Sequence, residues 1–252
     1  MKYRLFSNLC IFGMLLTLFC VTYDGGIKSV FNPQEIEPYY CGDASQNNIS
    51  LMINVYWGNE YIEPMLKVLK DNGIKTTFFV GGSWANKETE ILQKIVTDGH
   101  EIGNHGYNHK AHSKLTYEQN YNEISKCHEI ILAHTGKVMN LFAPPSGDFN
   151  KTTLKVADAL KYKTIMWSKD TIDWRDHNTD LIVKRATKNL KNGDLVLMHP
   201  TENTMQALPR IIEYCKKNNI NIATVTKCLN LKGWRNVKFI QKILKKYKIQ
   251  FD

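Results

Sequence analysis

The feature that most constrains the fold of this chain is a regular alternation of short apolar runs and longer amphipathic stretches, beginning near residue 49. Seven runs are rich in Val, Ile, Phe and Thr, as buried strands are. They are "ISLMINVYW", "KTTFFVGG", "HEIGNH", "VMNLFAP", "YKTIMWS", "DLVLMHP" and "INIATV". A stretch of helical period lies between each pair, which is typical of parallel strands joined by crossover helices. The alternation predicts an α/β fold, a distorted (β/α) barrel of about seven strands.

A barrel of this kind gathers its functional residues at one face, where the carboxyl ends of the strands meet. The residues to consider are therefore those that close each apolar run or follow it. They are Asn54, Val55, Gly81, His105, His109, Ala143, Pro144, Pro145, Asp170, Asp173, Trp174 and His199. We expect the functional site to be built from this set.

The N-terminus carries a pattern read by the export machinery. Lys2 and Arg4 precede the uncharged run "LCIFGMLLTLFCV", which predicts a signal peptide or an N-terminal membrane anchor over residues 1–22. No small-residue cleavage site follows, so both alternatives stay open. Residues 23–48 contain several Gly and Pro and predict a linker, and residues 49–230 predict the folded domain. We therefore expect a protein that is exported and is either secreted or membrane-anchored at the cell surface.

The charge of the chain indicates a polyanionic neighbour. With 33 Lys and Arg against 24 Asp and Glu, the formal net charge is +9, which suits nucleic acid, anionic lipid or a cell-wall polymer. An exported chain has no access to nucleic acid, so we expect no such partner. Residues 231–252 predict a basic amphipathic helix, which either docks on the barrel or lies on an anionic membrane surface.

Two groups of residues in the predicted set could carry chemistry. His105 and His109 are four residues apart in "GNHGYNHKAH", the spacing that lets two imidazoles bind one divalent metal; surface or capping histidines are the alternative. His199 ends a strand, and "SKDTIDW" ends another with nearby carboxylates. A carboxylate that orients an imidazole makes it a general acid near neutral pH, although a buried histidine that caps a turn fits as well.

Five motifs in order resemble one enzyme family. They are "TFFVGGSWA", "DGHEIGNHGYNH", "APPSGDFN", "DTIDW" and "LVLMHPTENTMQALPRII". Over residues 49 to 229 the chain is similar to the NodB-homology polysaccharide deacetylases, carbohydrate esterase family four. Within that family it resembles most the sporulation branch typified by the PdaB and YlxY proteins, which have a "WGDE"-like run where this chain has "WGNE". The branch implies a role in sporulation, with the forespore as one location.

The resemblance implies a metal-dependent hydrolase that removes acetyl groups from amino-sugar polymers such as peptidoglycan, its cell-wall partner. His105 and His109 would bind zinc or cobalt, and His199 would be the acid, tuned by Asp170. The backbone N–H of Ser146 would bind the oxyanion. The substrate would contact residues of the "APPSGDFN" and "DTIDW" motifs, namely Pro144, Pro145, Asp173 and Trp174.

The first family motif is altered in this chain. The family has "TFDD" where this chain has "MINV", so Asn54 takes the general-base position and Val55 the metal-carboxylate position. Ala143 replaces an Arg, and His112 is a candidate third metal ligand, although an exposed loop explains it equally. An amide cannot act as a base at neutral pH. Two hypotheses follow: a deacetylase with an altered metal site, or an inactive relative that binds cell-wall glycan or a protein partner.

Overall fold

The computed structural model describes residues 2–23 and 36–231, which belong to two units. The first unit contains helix α1, Lys2–Tyr23. Within the described residues, no helix combines the length and apolar character needed to cross a membrane. The export signal or anchor stays a prediction, and the predicted C-terminal helix lies outside the described residues from residue 232 onward.

The second unit, from Glu37 onward, is an α/β fold. Its strands are β1 (Asn48–Val55), β2 (Thr77–Val80), β3 (Glu101–Asn104), β4 (Leu141–Phe142), β5 (Lys163–Thr164), β6 (Lys169–Asp170), β7 (Leu195–Met198) and β8 (Asn221–Ile222). Its helices are α2 (Asn59–Asp71), α3 (Gly82–Lys87), α4 (Thr89–Thr97), α5 (Tyr117–Thr135), α6 (Lys151–Ala159), α7 (Thr179–Thr187), α8 (Glu202–Lys217) and α9 (Val225–Cys228). Two 3₁₀ turns lie at His112–Lys114 and Pro145–Gly147.

The strands form one curled sheet in the order β5-β4-β3-β2-β1-β7-β6, and β8 pairs with the start of β1. The ladders between neighbouring strands are parallel. In the described part of the chain no ladder joins β5 to β6, so the sheet is a half-barrel. The predicted distorted (β/α) barrel is therefore confirmed. Each of the seven apolar runs contains a strand, whereas the two-residue strand β6 was not predicted because it is short and polar.

Residues 37–47, predicted as the end of a linker, pack against the sheet. Tyr39 forms a parallel bridge with Ile165, and Cys41 forms an antiparallel bridge with Asp194. The N–H of Asp43 donates to the carbonyl of Cys228 at 2.8 Å. The folded unit therefore begins earlier along the chain than the apolar pattern predicts.

Strand β1 separates two cores. All eight of its residues are buried, as expected for a parallel strand covered on both faces. Ile53 and Val55 belong to the outer core, which the helices supply on the outside of the sheet. Met52 belongs to the inner core inside the half-barrel, together with Phe79. Because side chains alternate along a strand, Asn54 continues the inward-facing row and lies at its carboxyl end.

Helix α8 shows how local sequence sets the elements around the half-barrel. Its buried residues recur at helical spacing: Thr204, Ala207, Leu208, Ile211, Ile212 and Cys215. Thr201 caps the helix, and its side chain accepts the N–H of Thr204 at 3.0 Å. A threonine at this position satisfies one of the free N–H groups of the first turn. The cap also holds Thr204 at the edge of the cleft described next.

Candidate functional site

A cleft of about 580 Å³ opens at the carboxyl ends of the strands. The residues that line it are Asn54, Trp57, His105, His109, Ser146, Trp167, Asp170, Trp174, Leu197 and His199. Seven of the ten predicted site residues are in this lining, and Pro144, Pro145 and Asp173 are not. The sequence interpretation missed Trp57, Trp167 and Leu197.

On one side of the cleft, His199, Asp173 and Thr204 form the His199 group. Asp173 is fully buried, and its Oδ1 accepts from Nδ1 of His199 at 2.8 Å. Its Oδ2 accepts the backbone N–H of His199 at 2.6 Å and the hydroxyl of Thr204 at 2.5 Å. With Nδ1 held as the donor, Nε2 of His199 is the nitrogen left for chemistry.

The structure corrects the carboxylate assigned to His199. Asp173, predicted to contact substrate, is the residue that orients the imidazole; the prediction that Asp170 does so is wrong. Asp170 lines the cleft, and its Oδ1 accepts the N–H of Ile172 at 2.8 Å. Ile172 has a left-handed backbone, φ 52°, and this turn directs Asp173 back towards His199. The motif "DTIDW" offers two carboxylates, and spacing alone could not select between them.

A second set of residues that we compare with the His199 group, Asn54, His105 and Ala143, is called the Asn54 group. Asn54 is 4% exposed, and within the described residues its Oδ1 has no hydrogen-bond partner; we call this atom the open acceptor. Nδ1 of His105 donates to the carbonyl of Ala143 at 2.8 Å. Burial, and then the neighbouring His109, lowers the pKa of His105 to about 3. His105 is therefore neutral at physiological pH.

Val55 does not line the cleft. Its side chain is fully buried in the outer core, on the helix side of β1. The resemblance places the family's metal-binding carboxylate at this position, and in this chain the side chain found there is apolar and lies away from the cleft. The reason is the alternation of side chains along the strand, which points neighbouring residues to opposite faces.

The donor atoms in the cleft do not fit a catalytic zinc site. The rings of His105 and His109 lie edge to face with their centroids 5.1 Å apart. Among the described residues, no three His, Cys, Asp or Glu side chains form a group that could hold a metal ion. Catalytic zinc usually takes three protein ligands. The metal predicted on His105 and His109 therefore lacks a third ligand here.

His112 does not supply that ligand. It is fully buried, and its Nδ1 donates to Oδ1 of Asn120 at 2.6 Å. Its ring packs against Phe142, with the centroids 5.1 Å apart. His112 is therefore neither a third metal ligand nor an exposed loop residue, the two alternatives that the sequence offered.

A buried carboxylate fixes the loop that carries His109. Glu123 of α5 accepts the N–H groups of Tyr107 and Asn108 at 3.1 and 2.7 Å, and it pairs with Lys110 at 3.2 Å. His109 itself has a left-handed backbone, φ 53°. Glu123 was not predicted, although a Glu on the apolar side of an amphipathic helix is a signal for a buried partner.

Aromatic and turn residues complete the cleft. Trp57 is 44% exposed and stacks on His199, with the rings 6.0 Å apart and 8° from parallel. Trp174 is 52% exposed. Ser146, in the second 3₁₀ turn, has φ 54°, and its role as an oxyanion donor stays a prediction. Exposed aromatic faces in a concave site suit a ligand with apolar faces and polar edges.

Comparison with known proteins identifies the family. Residues 42–165 match the model of the polysaccharide deacetylase family. A peptidoglycan-N-acetylglucosamine deacetylase of Bacillus cereus is 30% identical over 209 residues, which are 79% of this chain and 98% of that protein. This chain belongs to the polysaccharide deacetylase family. Deacetylases of the family are metal-dependent, which makes the incomplete donor set of this member a departure from the family.

Two further relatives of this chain are a protein of Bacillus subtilis and a protein of Bacillus anthracis. The uncharacterized protein YlxY of Bacillus subtilis is 39% identical over 194 residues, which are 77% of this chain and 61% of that protein. This chain thus spans about three fifths of the length of YlxY. A carbohydrate esterase family 4 pseudoenzyme from Bacillus anthracis is 36% identical in its crystal structure, with a TM-score of 0.75, over 77% of this chain and 69% of that one.

Proposed function

We propose that this member of the polysaccharide deacetylase family binds an N-acetylated amino-sugar polymer, peptidoglycan, in the cleft and does not hydrolyse it efficiently. The observation that carries the proposal is the buried carboxamide of Asn54 at the position where the family has its general base. An amide takes no proton at neutral pH. Loss of a general base costs about a hundredfold to ten-thousandfold in rate.

Binding is supported by what the cleft keeps. Trp57 and Trp174 present exposed aromatic faces, and Asp170, Ser146 and His199 supply polar groups at the edges. A pyranose ring has apolar faces and polar hydroxyl edges, which match such walls. The relative from Bacillus cereus is a peptidoglycan-N-acetylglucosamine deacetylase, which supports peptidoglycan as the ligand. The relative from Bacillus anthracis is a pseudoenzyme, which supports the proposed lack of efficient hydrolysis.

A second candidate, hydrolysis of the acetamide, is favoured by the His199 group. Its hydrogen bonds hold Nδ1 of His199 as a donor to Asp173, which leaves Nε2 to carry a proton to a leaving amine. In that case the chain would be a slow N-deacetylase. Zinc or cobalt would be the metal to supply, because metal dependence is a property of the family.

The site of action in this proposal is the bacterial cell surface, and the branch of the family that the sequence resembles implies a role in sporulation. The basic and apolar order of residues 2–20 supports export, and a peptidoglycan ligand is found there. Fractionation of cells that make the full-length chain tests this location. Recovery in the cytosol alone would contradict it.

The deciding experiment combines co-sedimentation with peptidoglycan and an assay for released acetate, with zinc or cobalt added. We expect the full-length chain to sediment with peptidoglycan and not with cellulose, which lacks acetamido groups. We expect its acetate release to match that of His199→Ala. Release that His199→Ala abolishes would establish the second candidate instead, and failure to sediment would refute glycan binding.

A further inference from the structure

The segment that carries Trp174 is held at both of its ends by one arginine. We call residues 171–176 the Trp174 segment, which lies between β6 and α7. Nη1 of Arg185, on α7, donates to the carbonyl of Thr171 at 3.0 Å, and its Nη2 donates to Oδ2 of Asp176 at 2.6 Å. Arg185 therefore bridges the start and the end of the segment, and Trp174 lies between the two contacts.

The ion pair between Arg185 and Asp176 is partly shielded from water. The two side chains are 26% and 25% exposed, so salt screens this pair less than it screens a pair at the open surface. Hydrogen bonds from Arg175 and then from Arg185 hold the pKa of the Asp176 carboxyl well below its usual range. Asp176 is therefore ionised at physiological pH, and its hydrogen bond with Arg185 is of the strong, charge-assisted kind.

The ring of Trp174 depends on this backbone for its position. The side chain lines the cleft and is about half-exposed, so packing against the core fixes it only in part. The ring centroid lies 5.9 Å from the guanidinium carbon of Arg175, which is itself exposed. The placement of this part of the cleft wall is therefore set by how the Trp174 segment is attached to the rest of the fold.

The attachment has two independent parts. Asp173 is held by His199 and Thr204, and these bonds do not involve Arg185. Loss of the Arg185 guanidinium would therefore leave the His199 group in place and detach the part of the segment that follows Asp173 from α7. We expect local movement of Trp174 in that case, with the fold intact.

We infer that Arg185 is a positioning residue for the glycan, which holds the Trp174 segment so that the ring of Trp174 stays in the wall of the cleft. The inference rests on the proposed function, because the ligand is the glycan. Arg185 is not among the described residues that line the cleft, so it acts through Trp174. A ring that is fixed before the ligand arrives loses less conformational freedom on binding, and such preorganisation raises affinity.

The test is calorimetric titration of the full-length chain with the tetramer of N-acetylglucosamine. Arg185→Met keeps a long side chain and removes the guanidinium. We expect it to weaken binding about tenfold, the effect of losing one hydrogen bond to a charged group that orders the site. Arg210→Met is the matched control, since Arg210 of α8 forms an exposed ion pair with Asp180 of α7 at 2.7 Å and the change in charge is the same. We expect it to bind as the wild type does.

A double variant separates positioning from a general loss of structure. If Arg185 acts through Trp174, Arg185→Met should weaken binding about tenfold in the wild-type background and hardly at all in Trp174→Ala, because residues that act together are not additive. A merely structural role for Arg185 would lower the affinity equally in both backgrounds. Urea unfolding shows whether each variant is folded. If Arg185→Met does not fold, Asp176→Asn decides in the same two backgrounds, since it removes the same ion pair and keeps the size of the side chain.

Unchanged affinity in the folded variant that lacks the ion pair would overturn the inference while leaving glycan binding intact. The same loss of affinity in the wild-type and Trp174→Ala backgrounds would also overturn it. If the wild-type chain does not bind the tetramer, the proposed function fails, and the inference fails with it. The two failures are therefore distinguished by whether the wild type binds at all.

Discussion

The two groups of residues at the cleft, the His199 group and the Asn54 group, differ in how completely their polar atoms are paired. In the His199 group both carboxylate oxygens of Asp173 accept hydrogen bonds, three in all. In the Asn54 group Oδ1 of Asn54 has no partner among the described residues. In the His199 group the carboxylate is satisfied by hydrogen bonds within the protein. The Asn54 group instead has a polar atom left for a ligand in the cleft.

The difference shows that a histidine held by hydrogen bonds at the position of a general acid, as His199 is, is weak evidence for catalysis. Asp173 joins the backbone of His199 after β7 to Thr204 in the first turn of α8. Removing it would take the acceptor from three donors, which is costly whether or not the chain turns over a substrate. Stability alone can preserve the His199 group. The Asn54 group has no such internal bonds at residue 54, so its composition reflects function more directly.

The largest expected effect contrasts two neighbouring residues of β1. Val55→Asp would place an unpaired carboxylate in the outer core and should lower the free energy of unfolding by about 4 kcal/mol. Asn54→Asp, at the cleft, should lower it by about 1 kcal/mol. Urea unfolding followed by tryptophan fluorescence measures both. Equal midpoints for the two variants would show that residue 55 reaches water or an ion, contrary to its position in the outer core.

A smaller effect tests the assignment of Asp173. Asp173→Ala removes the acceptor of three hydrogen bonds and should cost about 3 kcal/mol of stability, because His199 and Thr204 lose their partner. Asp170→Ala removes one hydrogen bond at a partly exposed position and should cost less than about 1 kcal/mol. The same urea titration ranks them. The reverse order would restore Asp170 as the residue that supports His199.

The smallest effect concerns Trp57, which lies next to the His199 group but is half-exposed. Trp57→Ala should weaken binding to peptidoglycan about tenfold, or about 1.4 kcal/mol, by removing an aromatic face. Tyr117→Ala, an exposed aromatic residue on α5 that does not line the cleft, is the control and should bind normally. Co-sedimentation over a range of polymer concentrations gives both affinities. Equal binding by the two variants would remove Trp57 from the glycan site.

Much of the architecture could be predicted from sequence because hydrophobic periodicity reports burial. Strands β1 and β7, which two of the apolar runs predict, are buried at every position, as is typical of parallel strands covered on both faces. The same reasoning missed β6, which consists of Lys169 and Asp170. Its strand pairing depends on its neighbour β7, and no pattern of two polar residues reveals that.

The site was predictable as a set of residues and less so as a set of contacts. Seven predicted residues meet in one cleft because parallel strands end at the same face. The partner of His199 could not be predicted because it depends on the left-handed turn at Ile172. A β-branched residue rarely adopts this conformation, so the sequence does not indicate the turn. The orientation of Val55 was available from the alternation of β1, since Asn54 and Val55 cannot both face inward on a regular strand.

The separation of the two cores by β1 has an evolutionary consequence. Residue 54 lines the cleft, whereas residue 55 packs in the outer core that stabilises the fold. Residue 54 can therefore change without disturbing the outer core, so the contacts of the cleft and the stability of the fold can evolve separately.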